Sequence, residues 1–367
     1  MPNRSSDITA ERPASVRASR RPTSIGVSIV VPAYNCADQL GDCLAALPIA
    51  SSPDVEVIVV DDGSTDNTLA VAEASGARVV SLTRNAGPAA ARNAGVRESR
   101  GKLLLFIDAD VRAPADIAGR VEDILSSDSG IDAVFGSYDE TPQSRGLVSQ
   151  FRNLLHHYVH QTSEVEARTF WSGCGAIRRE VFDSIGGFDE RWPAIEDIEL
   201  GYRLKAAGRR VRLVKDLQVK HLKHWTLWSM MRTDLKMRAL PWSRLILSRR
   251  VAPNDLNIKS SQRASVMLVA LALVCAVLAV ASPIPLWVAG SAIAMVVAIN
   301  RAFYVFLARK RGVGFALASI PLHLLYFVVS GVGFLWAWLM LDRQQSPMPP
   351  PDALLDDDTA RPRRVVP

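Results

Sequence analysis

Two acidic pairs occupy matching places in this 367-residue chain: Asp61 and Asp62 close the run VEVIVVDD, and Asp108 and Asp110 close KLLLFIDAD. Each pair follows a stretch apolar enough to be a strand buried on both faces, so two strands bring carboxylates to one edge of a sheet. A turn at Gly63 and a helix cap from Ser64, Thr65 or Asp66 account for part of the first pair. They do not account for a second pair in the same relative position. Two carboxylates just past a buried strand repel each other unless a hard cation relieves them, and Mg2+ or Mn2+ suits oxygen ligands. Mg2+ keeps several waters and shares one or two carboxylates with substrate phosphates, so the pattern points to a bound diphosphate. The chain has no Walker A sequence, and Gly173-Cys174-Gly175 meets Arg178 where a dinucleotide fingerprint needs its third glycine. A metal is then required to do the work of a phosphate-cradling loop.

A third acidic site is Glu196-Asp197, which precedes a stretch of helical spacing over 198–208 that ends in glycine. Both carboxylates fall near the positive end of a helix dipole, where capping is the simpler role. His156, His157 and His160 lack the HExxH arrangement and lie in a stretch that reads as helix, so no second metal is expected there. Cys36, Cys43, Cys174 and Cys275 have no metal-ligand spacing and are expected to be reduced packing residues.

The elements that must position these groups alternate. SIVVPAYN (28–35) reads as a buried strand ended by proline, and Leu40, Cys43, Leu44 and Leu47 form a helical stripe. A strand over 55–62, a short strand over 78–82, a helix over 89–98 and a strand over 102–110 continue the cycle. Strands alternating with helices predict an α/β domain with a mostly parallel sheet, whose ligands bind beyond the carboxyl ends of the strands.

Several separated motifs then occur in order: SIVVPAYN, VVDDGSTDNT, NAGPAAARNAG, FIDAD, FWSGCGAIRREVFDSIGGFDE and IEDIELGYRL. Over about 24–228 the chain resembles family 2 of the glycosyltransferases, which have the GT-A fold. The resemblance implies that Pro32, Ala33, Tyr34, Asn35, Asp62, Arg92 and Asp108 contact a nucleotide sugar, and that Asp108, Asp110 and His221 hold a divalent metal, Mg2+ or Mn2+. His224 is the alternative to His221. It implies further that Asp197 is the catalytic base with Glu196 beside it orienting the acceptor, and that Trp171, Gly173, Cys174 and Gly175 face the acceptor. Capping at 196–197, a tight turn at 173–175 and a surface histidine facing lipid remain the plainer readings of these residues.

Hydrophobic residues make up 49% of the chain but concentrate beyond residue 263. Three spans are expected, over about 264–282, 285–307 and 314–341, since about 20 apolar residues cross a bilayer. A soluble helical core would show stripes, whereas 265–281 is apolar all round. Residues 1–24 contain Arg, Ser and Pro but no apolar signal region, so the catalytic domain is expected in the cytoplasm of an inner-membrane protein. The basic cluster Arg309-Lys310-Arg311 would also lie inside. Net charge is +6, and the basic residues crowd 201–250 against only Asp216 and Asp234, which suits anionic lipid rather than nucleic acid. Between 225 and 247, Trp225, Trp228 and Trp242 intermix with Arg and Lys as in interfacial helices.

These readings divide the chain into a leader (1–24), a GT-A domain (25–228), interfacial helices (229–262), a membrane region (263–341) and a tail (342–367). The expected function is inverting transfer from a UDP- or GDP-sugar to a polyprenyl phosphate, lipid or envelope glycan at the phospholipid bilayer. A processive polysaccharide synthase and a non-catalytic membrane scaffold are the rivals. The first is disfavoured by the absence of a QxxRW-type motif, the second by intact Asp108, Asp110 and Asp197.

Overall fold

A computed structural model describes residues 25–49, 51–249, 259–280, 282 and 284–340. The expected leader and tail lie outside the described residues.

The first half follows the predicted alternation: β1 (Val27–Ala33), α1 (Ala37–Ala45), β2 (Val55–Asp61), α2 (Thr68–Ala74), β3 (Arg78–Ser81), α3 (Pro88–Arg97) and β4 (Leu103–Ile107). Next come β5 (Val111–Arg112), α4 (Ile117–Ser127), β6 (Ala133–Tyr138), α5 (Leu147–Gln161), β7 (Glu166–Ala167), β8 (Cys174–Arg178), α6 (Arg179–Ile185), α7 (Glu196–Ala206) and β9 (Val211–His221). The strands form one sheet in the order β3-β2-β1-β4-β8-β6-β9-β5, with β7 on β9. The first four are parallel, while β8 runs antiparallel to both β4 and β6. The sheet is therefore mixed, with parallel pairing in β3-β2-β1-β4 and between β6 and β9.

The period of two along each strand explains why both faces are covered. Ile29, Val31, Leu105 and Ile107 pack into one layer with Leu40 and Leu44 of α1 and Val121 and Leu125 of α4. Val30, Ile58, Leu104 and Phe106 pack into the other with Ala91 and Ala94 of α3 and Leu200 and Leu204 of α7. Each fully buried side chain of this kind contributes about 1.5–3 kcal/mol, which makes the central strands a rigid support for the loops at their ends.

Beyond the sheet lie α8 (Leu227–Thr233), a π-helical turn (Asp234–Ala239), α9 (Leu240–Arg249), α10 (Ser260–Leu278), α11 (Ile284–Ile299), α12 (Arg301–Arg311) and α13 (Val313–Met340). Both α10 and α13 are long and apolar enough to cross a membrane. The second expected span, 285–307, is not one straight helix: it breaks at Asn300 and bends by 64°. Asn300 is buried, and its side-chain amide donates to the Val296 carbonyl and to Ser265 Oγ, while Gln262 donates to its Oδ1. Past the break, Phe303, Tyr304 and Leu307 of α12 pack on Phe151, Leu154 and Leu155 of α5. The bend thus folds α12 back against the α/β domain. On α10, α11 and α13, side chains such as Met267, Val277, Trp287 and Trp338 stand exposed, as lipid-facing residues would.

Candidate active-site cleft

One cleft of about 1590 Å³ runs along the carboxyl ends of β1, β2 and β4 and continues to the membrane helices. Its first wall is a pair of interlocked turns. Asn35 adopts a left-handed conformation (φ 46°), its N–H donates to Ser64 Oγ (3.0 Å), and its Oδ1 accepts the Thr65 N–H (2.8 Å). Asparagine tolerates that conformation better than most residues. The half-exposed Tyr34 ring and the edges of Pro32 and Ala33 are left facing the cleft. Asp62 closes the neighbouring wall, its two oxygens accepting the N–H groups of Ala86 (2.7 Å) and Gly87 (2.9 Å). Burial pushes its carboxyl upward, against the pull of those two donors.

At the centre, Arg92 of α3 is buried between two carboxylates, donating to Asp108 Oδ1 (2.6 Å) and to Glu196 Oε1 (2.5 Å). One guanidinium therefore joins the end of β4 to the start of α7. Burial pushes Glu196 up to about 7, and Arg92 opposes it. Asp197 faces the cleft beside this network. Its Oδ2 accepts the Ser172 N–H (3.0 Å) and hydroxyl (3.2 Å), and its Oδ1 accepts the Ile198 N–H (2.8 Å). That last bond uses a free donor of the first helical turn, so capping and a role in the cleft coexist.

Asp110 and His221 meet because β5 and β9 pair antiparallel, Val111 opposite His221. Asp110 Oδ2 lies 3.7 Å from His221 Nε2 and 3.9 Å from Lys223 Nζ. The first separation is too long for a hydrogen bond. Burial raises the Asp110 pKa, but His221 and Lys223 outweigh it and hold the carboxyl below its ordinary value. The His221 ring stacks on Tyr138 at 4.3 Å, and its buried Nδ1 has no hydrogen-bond partner among the described residues. An oxygen and a nitrogen donor side by side fit a divalent cation that completes its shell with water and substrate phosphate. Asp108, the third expected ligand, has one oxygen on Arg92. Among the described residues no three His, Cys, Asp or Glu side chains close around one point.

Pro32, Ala33, Tyr34, Asn35, Asp62, Arg92, Asp108, Asp110, Trp171, Glu196 and Asp197 all line this cleft. Gly173, Cys174, Gly175 and the buried His221 do not. A Cβ on Gly173 would lie 2.4 Å from the Trp171 ring, one on Gly175 would lie 2.4 Å from the Trp171 carbonyl, and Cys174 is buried in β8. These small residues make room for Trp171 and Phe170, and Trp171 and Ser172 are the residues of that motif that reach the cleft. His224 also lines it, but its Nδ1 meets Ser144 Oγ (2.9 Å) rather than Asp110.

Sequence reasoning missed three features. Asp62 gathers in the loop of Asn85–Pro88, Ser172 holds Asp197, and His156 and His160 line the cleft. His160 Nδ1 meets the Gly136 carbonyl (3.0 Å), and His156 stacks against Tyr138, Trp171 and His160. The far end of the cleft is lined by Arg238, Trp242, Arg263, Met267, Tyr326 and Phe334, so it opens among α9, α10 and α13. Only the motif around 170–175 carried a signal for any of this. The four cysteines are free, as expected.

Residues 28–186 match the family model described as glycosyl transferase family 2. The undecaprenyl-phosphate 4-deoxy-4-formamido-L-arabinose transferase of Klebsiella pneumoniae subsp. pneumoniae is 28% identical over 174 residues, 45% of this chain and 52% of that protein. Glycosyltransferase AglE of Haloferax volcanii is 26% identical over 198 residues, 52% of this chain and 65% of that protein. The chain thus spans about half to two thirds of the length of these curated relatives. A mannosyltransferase from Pyrobaculum calidifontis, solved in complex with GDP-Man and Mn2+, shares the fold: the TM-score is 0.54 over 89% of this chain and 91% of that one, at 21% identity.

Proposed function

Since residues 28–186 form a glycosyl transferase family 2 domain, we propose that the chain transfers a sugar from a nucleoside diphosphate carrier to an acceptor held at the membrane, with inversion at the anomeric carbon. The observation that carries this reading is the continuity of the cleft, from Asp62 and Asp108 at the sheet edge to Arg263, Tyr326 and Phe334 on the membrane helices. A purely soluble acceptor would not need that second end. The relatives support the same reading, one being named for undecaprenyl phosphate and the shared-fold structure holding GDP-Man and Mn2+.

In this mechanism the turns around Tyr34, Asn35 and Asp62 receive the base and ribose, and Asp108 lies towards the diphosphate. Asp110 and His221 would hold a divalent cation, whose contribution when bound is to offset the negative charge of the diphosphate. Arg92 keeps Asp108 and Glu196 in register across the sheet edge. Asp197, fixed by Ser172, takes the proton of an alcohol acceptor. A phosphate acceptor, with a second pKa of about 6, arrives largely ionised, and Asp197 then orients it. Lys223 and Arg238 add positive charge on the acceptor side.

The test is transfer from UDP- and GDP-sugars to polyprenyl phosphate by the full chain in lipid nanodiscs. Asp110→Asn and chelation by EDTA are each expected to lower turnover by about 100-fold or more. Undiminished turnover in both would sink the metal assignment, and no transfer from any donor by the unmodified chain would sink the activity.

A further inference from the structure

A second pocket, of about 680 Å³, shares no lining residue with the cleft. It is bounded by the loop of Thr141, Pro142, Gln143 and Arg145, by Leu147 and Gln150 of α5, by Lys220 of β9, and by Arg311 and Phe315 where α12 passes into α13. Three of these residues are basic and none is acidic. Nearby carboxylates are already matched, Asp139 to Lys220 (3.0 Å) and Glu140 to Lys310. Arg311 donates only to neutral oxygens: Gln150 Oε1 (2.9 Å), the Lys310 carbonyl (3.0 Å) and the Glu140 carbonyl (2.5 Å). Arg145 has no hydrogen-bond or ion-pair partner among the described residues and stands exposed. Among the described residues, neither Arg145 nor Arg311 has a carboxylate within ion-pair distance.

The apolar side of the pocket decides what kind of anion fits. Leu147 is 40% exposed, and Phe315 lies in the first turn of α13, a helix able to cross a bilayer. An exposed arginine and a second one bound only to neutral oxygens, beside an apolar rim at the start of a helix able to cross a bilayer, match a phosphodiester joined to acyl chains better than a soluble phosphate. We propose that this pocket binds the headgroup of an anionic phospholipid and so fixes α12 and α13 against the α/β domain at the bilayer surface. Arg311 also fastens α12 to the loop before α5, so its loss would disturb the fold. Arg145 has no such duty and is the cleaner probe.

The full chain, purified in detergent, is titrated with phosphatidylglycerol, and bound lipid is counted by native mass spectrometry. Arg145→Gln is expected to weaken retention about fivefold, while Lys205→Gln, an equal charge change at an exposed residue of α7, leaves it unaltered. Phosphatidylcholine should bind weakly, and inorganic phosphate should fail to displace phosphatidylglycerol. Equal retention by the unmodified chain and Arg145→Gln would overturn the site. Displacement by inorganic phosphate at matched concentration would overturn the lipid as its occupant.

Discussion

Arg92 shows how a buried cation organises acids that the chain order keeps apart. Asp108 and Glu196 are 88 positions apart in sequence, and both end on the same guanidinium. Removing one member of such a buried set leaves charges without partners, so a neutral substitution at any of the three is expected to be strongly destabilising. The buried histidines make a separate point about charge. Burial pushes His160 down to about 4 from the ordinary 6.5, so in that interval the unfolded chain binds a proton that the folded chain refuses. Its contribution is fully present above the unfolded value and is lost as pH falls from 6.5 towards 4. The loss attributable to this one group is about 3 kcal/mol at most. In thermal-unfolding scans across that range, His160→Gln should flatten part of the acid slope, with His156, also pushed down by burial, supplying the remainder. An unchanged slope would mean that His160 is protonated in the folded chain.

Among the elements, α7 and the β5–β9 pair do the most to build the cleft. Gly201 lets α7 press against the strand-entry segment: a Cβ there would lie 2.3 Å from the Phe170 backbone nitrogen. That approach brings Asp197 to Ser172. Gly201→Ala should therefore cost about 1–3 kcal/mol in stability and also lower the transfer rate, because the helix must move out to admit the methyl group. Stability read by thermal shift and turnover read in parallel would check this, and full activity at reduced stability would separate packing from positioning. The β5–β9 pairing is short, yet without it Asp110 and His221 would not meet, since nothing local in either segment draws them together.

At the scale of the whole molecule, the cleft depends on how the membrane helices lie against the α/β domain. Gly333 of α13 approaches the π-helical turn so closely that a Cβ would lie 2.5 Å from that of Ala239. Arg152 of α5 and Asp234 of the same turn form a buried ion pair (2.5 Å) next to this contact. Gly333→Leu should wedge α13 away from the turn. Transfer to a lipid acceptor is then expected to fall by about tenfold or more, with nucleotide-sugar affinity, measured by calorimetry, unchanged. Loss of both together would mean that the two ends of the cleft are not separable. The broken α11–α12 segment belongs to this scale as well, because its apolar residues serve a seam with α5 and not only a bilayer.

The alternation of strands and helices, the acidic ends of β2 and β4 and the apolar stretch beyond residue 263 were legible from residue types and spacing alone. Each is set by local periodicity and by which side chains water rejects. The pairing of Asp110 with His221 was expected only through the family resemblance, and the Arg92 bridge, the recruitment of Ser172 to Asp197 and the bend at Asn300 were not legible. They depend on strand register, on backbone approaches permitted by glycine, and on a buried amide finding partners on another helix. Such contacts form only when distant segments are packed together, so tertiary structure decided which of the candidate acids share one cleft and where that cleft meets the membrane helices.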